Sequence, residues 1–428
     1  MMRRQRAAFW RGGTSNGVMI AGPSLPQWQT IKSRYPDGKL DLKDGAQVLE
    51  PLYRSIMGSP DPYGRQLNGM GGGLSSLSKA VIVDRSTLRG CDLDYLFIQV
   101  GSPLESVSQS LGFIADVFAQ VKDGKLDLAG NCGNMTAAVG PFGIEEQLVD
   151  ARSRLTAPIS AATQDKFSLH PINIRLRNLN TSRIIDADVY ASESTDAESG
   201  ARNIFFEARG DYVLDGVPGH SSPITLSFVS PGGAKTGKAL PTGNATDVVK
   251  YAPGETIRAS LLDISNPGVF IDGRDVDWDP TSSPEQLNAN VELMARLEAI
   301  RRAGAAMMGM DPETLSIPKV VLLFPPASEG VDITCQALSM EQAHKAVPMT
   351  LGLNLGVATK ITGTVPHALA KHSDPVTTIV GHPSGRVEVG ADISSEGDII
   401  SAKVVRTARC LMDGYVNITP SEKMELLA

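Results

Sequence analysis

The stretch Gly130-Asn131-Cys132-Gly133-Asn134-Met135-Thr136-Ala137-Ala138-Val139-Gly140 reads as a glycine-rich turn that delivers one cysteine to the first turn of a helix. Thr136, Ala137, Ala138 and Gly140 are small enough to let that helix pack tightly against its surroundings. A thiol at a helix N-terminus faces the positive end of the aligned peptide dipoles, which favours its thiolate. The backbone N–H groups of the same turn have no partner inside the helix and can hold a carboxylate or phosphate. A lone cysteine on its own reads as a buried structural residue; the Gly-Asn pairs on both sides shift the reading toward a site.

Upstream, residues 7–10 form a strand that ends in Arg11-Gly12-Gly13-Thr14-Ser15-Asn16-Gly17, and Val18-Met19-Ile20 resumes it, giving a hairpin with a polar tip. Residues 45–57 carry Val48, Leu49, Leu52 and Ile56 at helical spacing. A second glycine cluster, Gly69 to Gly73, leads through Ser76-Leu77-Ser78-Lys79 into the apolar strand Ala80–Val83. Lys79 therefore sits where a polar loop meets a buried strand, with glycines bringing backbone close by. Residues 92–100 read as a strand, 104–118 as a helix, and 170–192 as paired strands.

The second half repeats this grammar. Ile224–Val229 is a strand; Leu261–Ile264 and Val269–Ile271 bracket an Asn266-Pro267-Gly268 turn; residues 284–308 read as one long helix ending in Arg301 and Arg302. Strands at 319–324 and 333–338 precede His344 to Thr350, which open a small-residue helix over 351–359. Gly381-His382-Pro383-Ser384-Gly385 is a tight turn between strands, and Ser401–Arg409 is a last strand. The repetition is one of organisation, without clear residue identity. It predicts two similar α/β domains, each aiming a helix N-terminus at a site.

At 428 residues, two domains is the natural division. Hydrophobic residues at 42% and charged residues at 20% match an ordinary soluble globular chain. The net charge of −7 argues against a nucleic-acid or anionic-membrane surface. Cys91, Cys132, Cys335 and Cys410 show no CxxC or zinc spacing, and the six histidines are dispersed, so no metal is expected and reduced thiols in the cytoplasm are. Arg3, Arg4 and Arg6 lead straight into Ala7-Ala8-Phe9-Trp10 without a leader-type apolar run, and no stretch is long enough to span a membrane.

The Arg-Gly-Gly-Thr-Ser tip, the Ser-x-Ser-Lys before a strand, Gly-Asn-Cys-Gly-Asn-Met and Gly-His-Pro-Ser-Gly occur in a set order. Together they resemble the PrpF family, the 2-methylaconitate cis–trans isomerases of the diaminopimelate-epimerase-like superfamily. Each motif is weak alone; the four in order are specific, and the resemblance runs from about residue 7 to 415. It implies an α/β fold of two pseudo-symmetric domains, each a mostly antiparallel sheet around a central helix, with the active site in the interdomain cleft. The expected domains are residues 1–205, completed by a C-terminal strand at about 400–428, and residues 206–399. The family's activities imply isomerisation of aconitate, 2-methylaconitate, methylitaconate or 4-oxalomesaconate, without a cofactor. Three departures bear on substrate choice: an insertion at about 102–124, Asn16 where many relatives carry lysine, and Pro348-Met349-Thr350-Leu351-Gly352 at the second helix start.

Moving a double bond along an unsaturated polycarboxylate requires proton removal from a carbon next to, or vinylogous to, a carboxylate. The carbanion needs its charge spread into a carboxylate held by positive dipoles, which Gly133, Asn134 and Thr350 can supply through backbone N–H groups. Lys79 is assigned as the principal base, with Cys132 as partner acid or substrate-positioning thiol; the two roles are exchangeable. Arg11, Thr14, Ser15, Asn16, Gly133, Asn134, Met135, Met349, Thr350 and Ser384 are assigned to substrate carboxylates, with Arg301 as a bidentate clamp. Racemisation by paired cysteines is disfavoured because residues 348–352 contain no cysteine. The rival from another class is a non-catalytic carboxylate-binding relative. The partner is a small polycarboxylate, with no nucleic acid and no membrane; a homo-oligomer is left open.

Overall fold

The computed structural model describes residues 3–63, 65–73, 75–100, 126–128, 131–154, 169–195, 202–314, 317–339 and 342–419. The chain divides into two compact units, residues 1–226 with 406–428, and residues 227–405. The expected helix over 104–118 and the insertion at 102–124 lie outside the described residues, as does Gly130.

The first unit begins with a hairpin of β1 (Arg3–Gly12) and β2 (Ser15–Ala21), followed by α1 (Pro26–Arg34) and α2 (Leu42–Met57). Then come β3 (Lys79–Arg85), β4 (Leu93–Val100), the two-residue β5 (Leu126–Asp127), α3 (Gly133–Glu145), β6 (Leu169–Asn178), β7 (Ile184–Thr195) and β8 (Arg202–Phe206). Every residue of α3 from Met135 to Ile144 is buried. A helix apolar on all sides can only be stable when it is enclosed, and β1, β2, β3, β4, β6, β7 and β8 all pack against it. The α2 helix is amphipathic instead, laying Val48, Leu49, Leu52, Tyr53 and Ile56 into a separate core, and Asp41 caps it by accepting from the Lys43 and Asp44 amides.

The chain passes through β9 (Ile224–Val229) into the second unit, with β10 (Asp247–Ala252), β11 (Glu255–Ile264), β12 (Asn266–Asp272), α4 (Pro284–Ala289), α5 (Val291–Met307), β13 (Lys319–Phe324), β14 (Ile333–Ser339) and β15 (Gln342–Ala343). It continues with α6 (Met349–Ala358), α7 (Val365–Leu369), β16 (Thr377–His382), β17 (Gly385–Ile393) and β18 (Ile399–Arg406). Here the enclosed helix is α6, buried from Leu351 to Ala358 and packed on β11, β12, β16 and β17. Finally β19 (Ala408–Ile418) rejoins the first unit, pairing antiparallel with β1 from Arg3↔Ile418 to Gly12↔Ala408.

Three elements depart from the sequence reading. The long helix over 284–308 is two helices, because Asn290 leaves helical geometry and its side chain accepts from the Leu293 amide at 3.1 Å, capping α5. The final strand 401–409 is likewise two, β18 and β19, divided at Thr407. The turn expected at Asn266-Pro267-Gly268 sits one residue earlier, at Ser265 with φ 61°, and the three expected turn residues pair as β12.

A buried ion pair ties the edge of the first unit together. Asp94 and Arg177 are register partners on parallel β4 and β6, bridged at 2.8 and 2.6 Å, and Arg177 also donates to the Asp37 carbonyl and the Thr87 hydroxyl. Removing the guanidinium leaves a buried carboxylate without its counter-charge, so Arg177→Leu is expected to cost roughly 3–5 kcal/mol. The midpoint of urea unfolding measures it; an unchanged midpoint contradicts the assignment.

Candidate active site

The hairpin turn is Gly13-Thr14, between the register pair Gly12↔Ser15. Gly13 has φ 51°, the left-handed region that glycine enters without strain. The tip lies directly on the first turn of α3. A Cβ on Gly12 would stand 2.3 Å from the Asn134 carbonyl oxygen, and one on Gly17 would stand 3.0 Å from Met135 Cε. The glycines are therefore what allow backbone-to-backbone approach at this corner.

Cys132 is the N-cap residue of α3, and no side chain caps the helix. The amides of the first helical turn, Gly133 to Met135, have no carbonyl of their own helix to bond. Cys132 Sγ lies 4.0 Å from Ser15 Oγ. The Thr136 hydroxyl donates to the Cys132 carbonyl at 3.1 Å and shares a 2.9 Å hydrogen bond with the buried Tyr95 hydroxyl, which fixes the helix start against β4. The Asn134 amide donates to Thr14 Oγ1 at 3.1 Å and accepts from Arg406 Nε at 3.1 Å.

Lys79 opens β3 and pairs in register with Gly17 on parallel β2 and with Gln99 on antiparallel β4. Its ammonium donates to Gln99 Oε1 at 2.7 Å and lies 5.3 Å from the centre of the Phe97 ring. Gln99 in turn donates to the Ser78 carbonyl at 3.1 Å. The lysine is only 8% exposed, so its side chain is held in one place rather than solvated.

The structure thus gathers Arg11, Thr14, Ser15, Asn16, Lys79, Cys132, Gly133, Asn134 and Met135 around one corner of the first unit. Their parts differ. Arg11 donates to the Gly13 carbonyl at 2.9 Å and to Thr407 Oγ1 at 2.9 Å, bracing the tip, and burial holds its pKa below the usual arginine value. Met135 is fully buried, so only its backbone N–H is left to meet a ligand. Ser15 is buried, Asn16 is half-buried and Thr14 is exposed.

In the second unit, Met349 and Thr350 occupy the first turn of α6, where again no side chain caps the helix. Thr350 Oγ1 accepts from Asn266 at 3.2 Å. Ser384 lies in the turn between β16 and β17, and its hydroxyl donates to the Lys345 carbonyl at 2.7 Å, tying that turn to the segment that leads into α6. Arg301 is the exception and corrects the sequence reading. It is 4% exposed, and its five N–H donors bond Glu298 twice and the carbonyls of Pro312, Thr314 and Ile317. No donor remains for a carboxylate clamp.

Two residues at the first unit's corner escaped the sequence reading. Gln99 was visible only as a polar residue near the end of an apolar strand. Arg406 is 8% exposed, and burial draws its pKa down to about 10, opposed by the charges of Tyr212 and Cys132. A buried guanidinium beside the thiol and the α3 amides adds positive potential where an anion would sit.

Among the described residues no group of three metal-ligating side chains occurs, and none of their helices is long and apolar enough to cross a membrane. The family described as PrpF protein matches residues 2–419. The chain is 31% identical over 435 residues to the 2-methyl-aconitate isomerase of Shewanella oneidensis, covering 96% of each chain. It is 32% identical over 425 residues to the (4E)-oxalomesaconate Delta-isomerase of Novosphingobium sp., covering 97% of this chain and 99% of the relative. Among solved structures, methylitaconate-delta-isomerase superposes with a TM-score of 0.75 at 29% identity, covering 99% of this chain and 97% of that one. The fold is the mixed α/β fold of that isomerase, the α/β class that the sequence motifs implied.

Gly12→Ala forces a methyl group into the Asn134 carbonyl. It is expected to lift the tip off α3, lower the unfolding temperature and raise hydrogen–deuterium exchange at the amides of residues 133–136. Exchange at wild-type rates would show that the contact is not what holds the helix start.

Proposed function

The chain belongs to the PrpF family, and from that premise we propose that it is a cofactor-independent isomerase shifting a proton across the allylic system of an unsaturated tricarboxylate, 2-methylaconitate or aconitate. The observation that carries this reading is the attachment of one amine and one thiol to the same short segment of β2. Lys79 is the register partner of Gly17, and Cys132 Sγ lies 4.0 Å from Ser15 Oγ.

Each group has a part in the chemistry. Lys79 takes a proton from the carbon next to, or vinylogous to, a substrate carboxylate. Gln99 holds the amine by an amide oxygen, orienting it without adding a second charge to the pair. As the carbanion forms, its charge moves into the carboxylate. The amides of Gly133 and Asn134 and the nearby Arg406 guanidinium meet that charge with fixed dipoles and positive potential. Cys132 returns a proton to the other end of the allylic system or holds the substrate for that step, and the roles of thiol and amine are exchangeable. Thr14, Ser15 and Asn16 supply further polar contacts to the remaining carboxylates.

A second reading, 4-oxalomesaconate isomerisation, is favoured by the level identity to the Novosphingobium relative, 32% against 31%. We place the activity in the cytoplasm, where the four free cysteines stay reduced.

Lys79→Ala and Cys132→Ala are each expected to lower turnover by about 10²–10⁴-fold with the fold intact. Incubation in D₂O with aconitate, 2-methylaconitate, methylitaconate and 4-oxalomesaconate, followed by NMR, shows which compound isomerises and where deuterium enters. If none of the four isomerises or exchanges, the reading is wrong.

A further inference from the structure

The glycine cluster ahead of Lys79 reads in the sequence as backbone brought close to the lysine. In the folded first unit it closes around a different side chain. Gln66 is fully buried, and the loop 69–73 wraps its amide: a Cβ on Gly71 would stand 2.1 Å from Gln66 Oε1. The loop is pressed from its other side as well, because a Cβ on Gly69 would stand 2.1 Å from the Gly58 nitrogen. Gln66 also holds φ at 53°, the left-handed region that a glutamine enters only at a cost. Asp61 accepts from three amides of the turn that delivers it, Tyr63 at 2.8 Å, Arg65 at 3.0 Å and Gln66 itself at 2.6 Å. Strain held this firmly, 13 residues from the proposed base, calls for a function.

The direction of its hydrogen bonds shows what Gln66 holds. The Gly73 N–H can only donate, and it meets Gln66 Oε1 at 3.0 Å. The Ser78 hydroxyl therefore donates to the same oxygen, at 2.6 Å, while Gln66 Nε2 donates to Ser59 Oγ at 2.8 Å. A second main-chain group fixes the next link. The Ser78 carbonyl can only accept, so it takes Gln99 Nε2 at 3.1 Å, which turns Gln99 Oε1 to the Lys79 ammonium 2.7 Å away. Each amide is thus oriented by the backbone, and the two share Ser78, which is fully buried and immediately precedes Lys79. In so dry a network, loss of one link leaves donors without partners and is felt at the next.

We propose that Gln66 is a positioning residue for the Lys79 amine: it holds Ser78, through which Gln99 keeps the amine in one place for proton transfer. This rests on the assignment of Lys79 as the base. Gln66 acts only through Ser78 and Gln99, and the glycines of 69–73 are there to let the loop close on it.

Gln66→Met keeps the length of the side chain and removes both ends of its amide. Lysines of the folded variant are acetylated, and modification is read by mass spectrometry. Lys79 is expected to react severalfold faster than in wild type, and Lys360, which bonds the carbonyls of Asp374 and Thr377, at the wild-type rate. On the acid that wild type isomerises, kcat is expected to fall by about ten- to hundredfold with KM unchanged. Ser78→Ala cuts the same link from its other side and is expected to reproduce both effects, and the double variant to add nothing to either. Ser59→Ala removes the bond at the far end of the amide and is expected to lower the unfolding temperature without changing Lys79 acetylation or kcat. Wild-type acetylation of Lys79 in a folded Gln66→Met or Ser78→Ala overturns the proposal, and so does an activity loss seen only in KM. The labelling requires no turnover. If Lys79→Ala keeps wild-type turnover while Gln66→Met still frees Lys79, the base assignment falls and the Gln66 link stands; if Lys79→Ala loses turnover while Gln66→Met leaves Lys79 unchanged, the reverse holds.

Discussion

Close approach between the glycine hairpin and the first turn of α3 is the contact on which the rest of the first unit's site depends. With a Cβ at Gly12 only 2.3 Å from the Asn134 carbonyl oxygen, no residue but glycine lets the two backbones meet. From that contact the other groups take their places. Ser15 comes to Cys132, and Gly17 carries Lys79 in by strand register. The Gly13 amide bonds the Thr407 carbonyl at 2.8 Å, which fixes the returning strand β19 and the neighbouring Arg406. The helix can begin without a side-chain cap because the hairpin shields its flanks while leaving its first amides for a ligand.

The second unit uses the same construction with different chemistry. Its enclosed helix is apolar on every side, its hairpin carries a glycine facing the helix, and a lysine opens the parallel strand. The thiol is missing, and Pro348 stands at the helix start where the first unit has Cys132. Repetition of backbone geometry with loss of one side chain leaves the two helix starts chemically unequal, a cysteine at one and a proline at the other.

Much of the site was legible in the sequence because its signals are local. The cysteine between Gly-Asn pairs, the Arg-Gly-Gly-Thr-Ser tip and the lysine at the edge of an apolar strand each announce themselves within a few residues. The groups that were missed are those whose meaning is a long-range register. Gln99 matters because it lies opposite Lys79, and Arg406 because a strand 272 residues beyond Asn134 returns to it. Arg301 failed in the other direction: an arginine near a helix end looks available, yet Glu298 and three carbonyls occupy its donors. The continuous helix over 284–308 broke at Asn290 for a related reason, since apolar periodicity runs on through a residue whose side chain prefers to cap.

The sequence by itself determined the α/β class, the two enclosed small-residue helices, the glycine turns and the places of Lys79 at a strand start and Cys132 at a helix start, because glycine placement, apolar periodicity and helix-start chemistry act over a few neighbouring residues. Only the tertiary structure decided which charged groups are used up internally, as Arg301 is, and which come to the α3 helix start, as Arg406 does. That is a matter of desolvation and of which strands lie side by side, and neither is written in any short stretch of the chain. Cys132 shows the division. Its place at a helix start is sequence; its place beside Ser15 and Arg406 comes from strands that meet only in the folded protein.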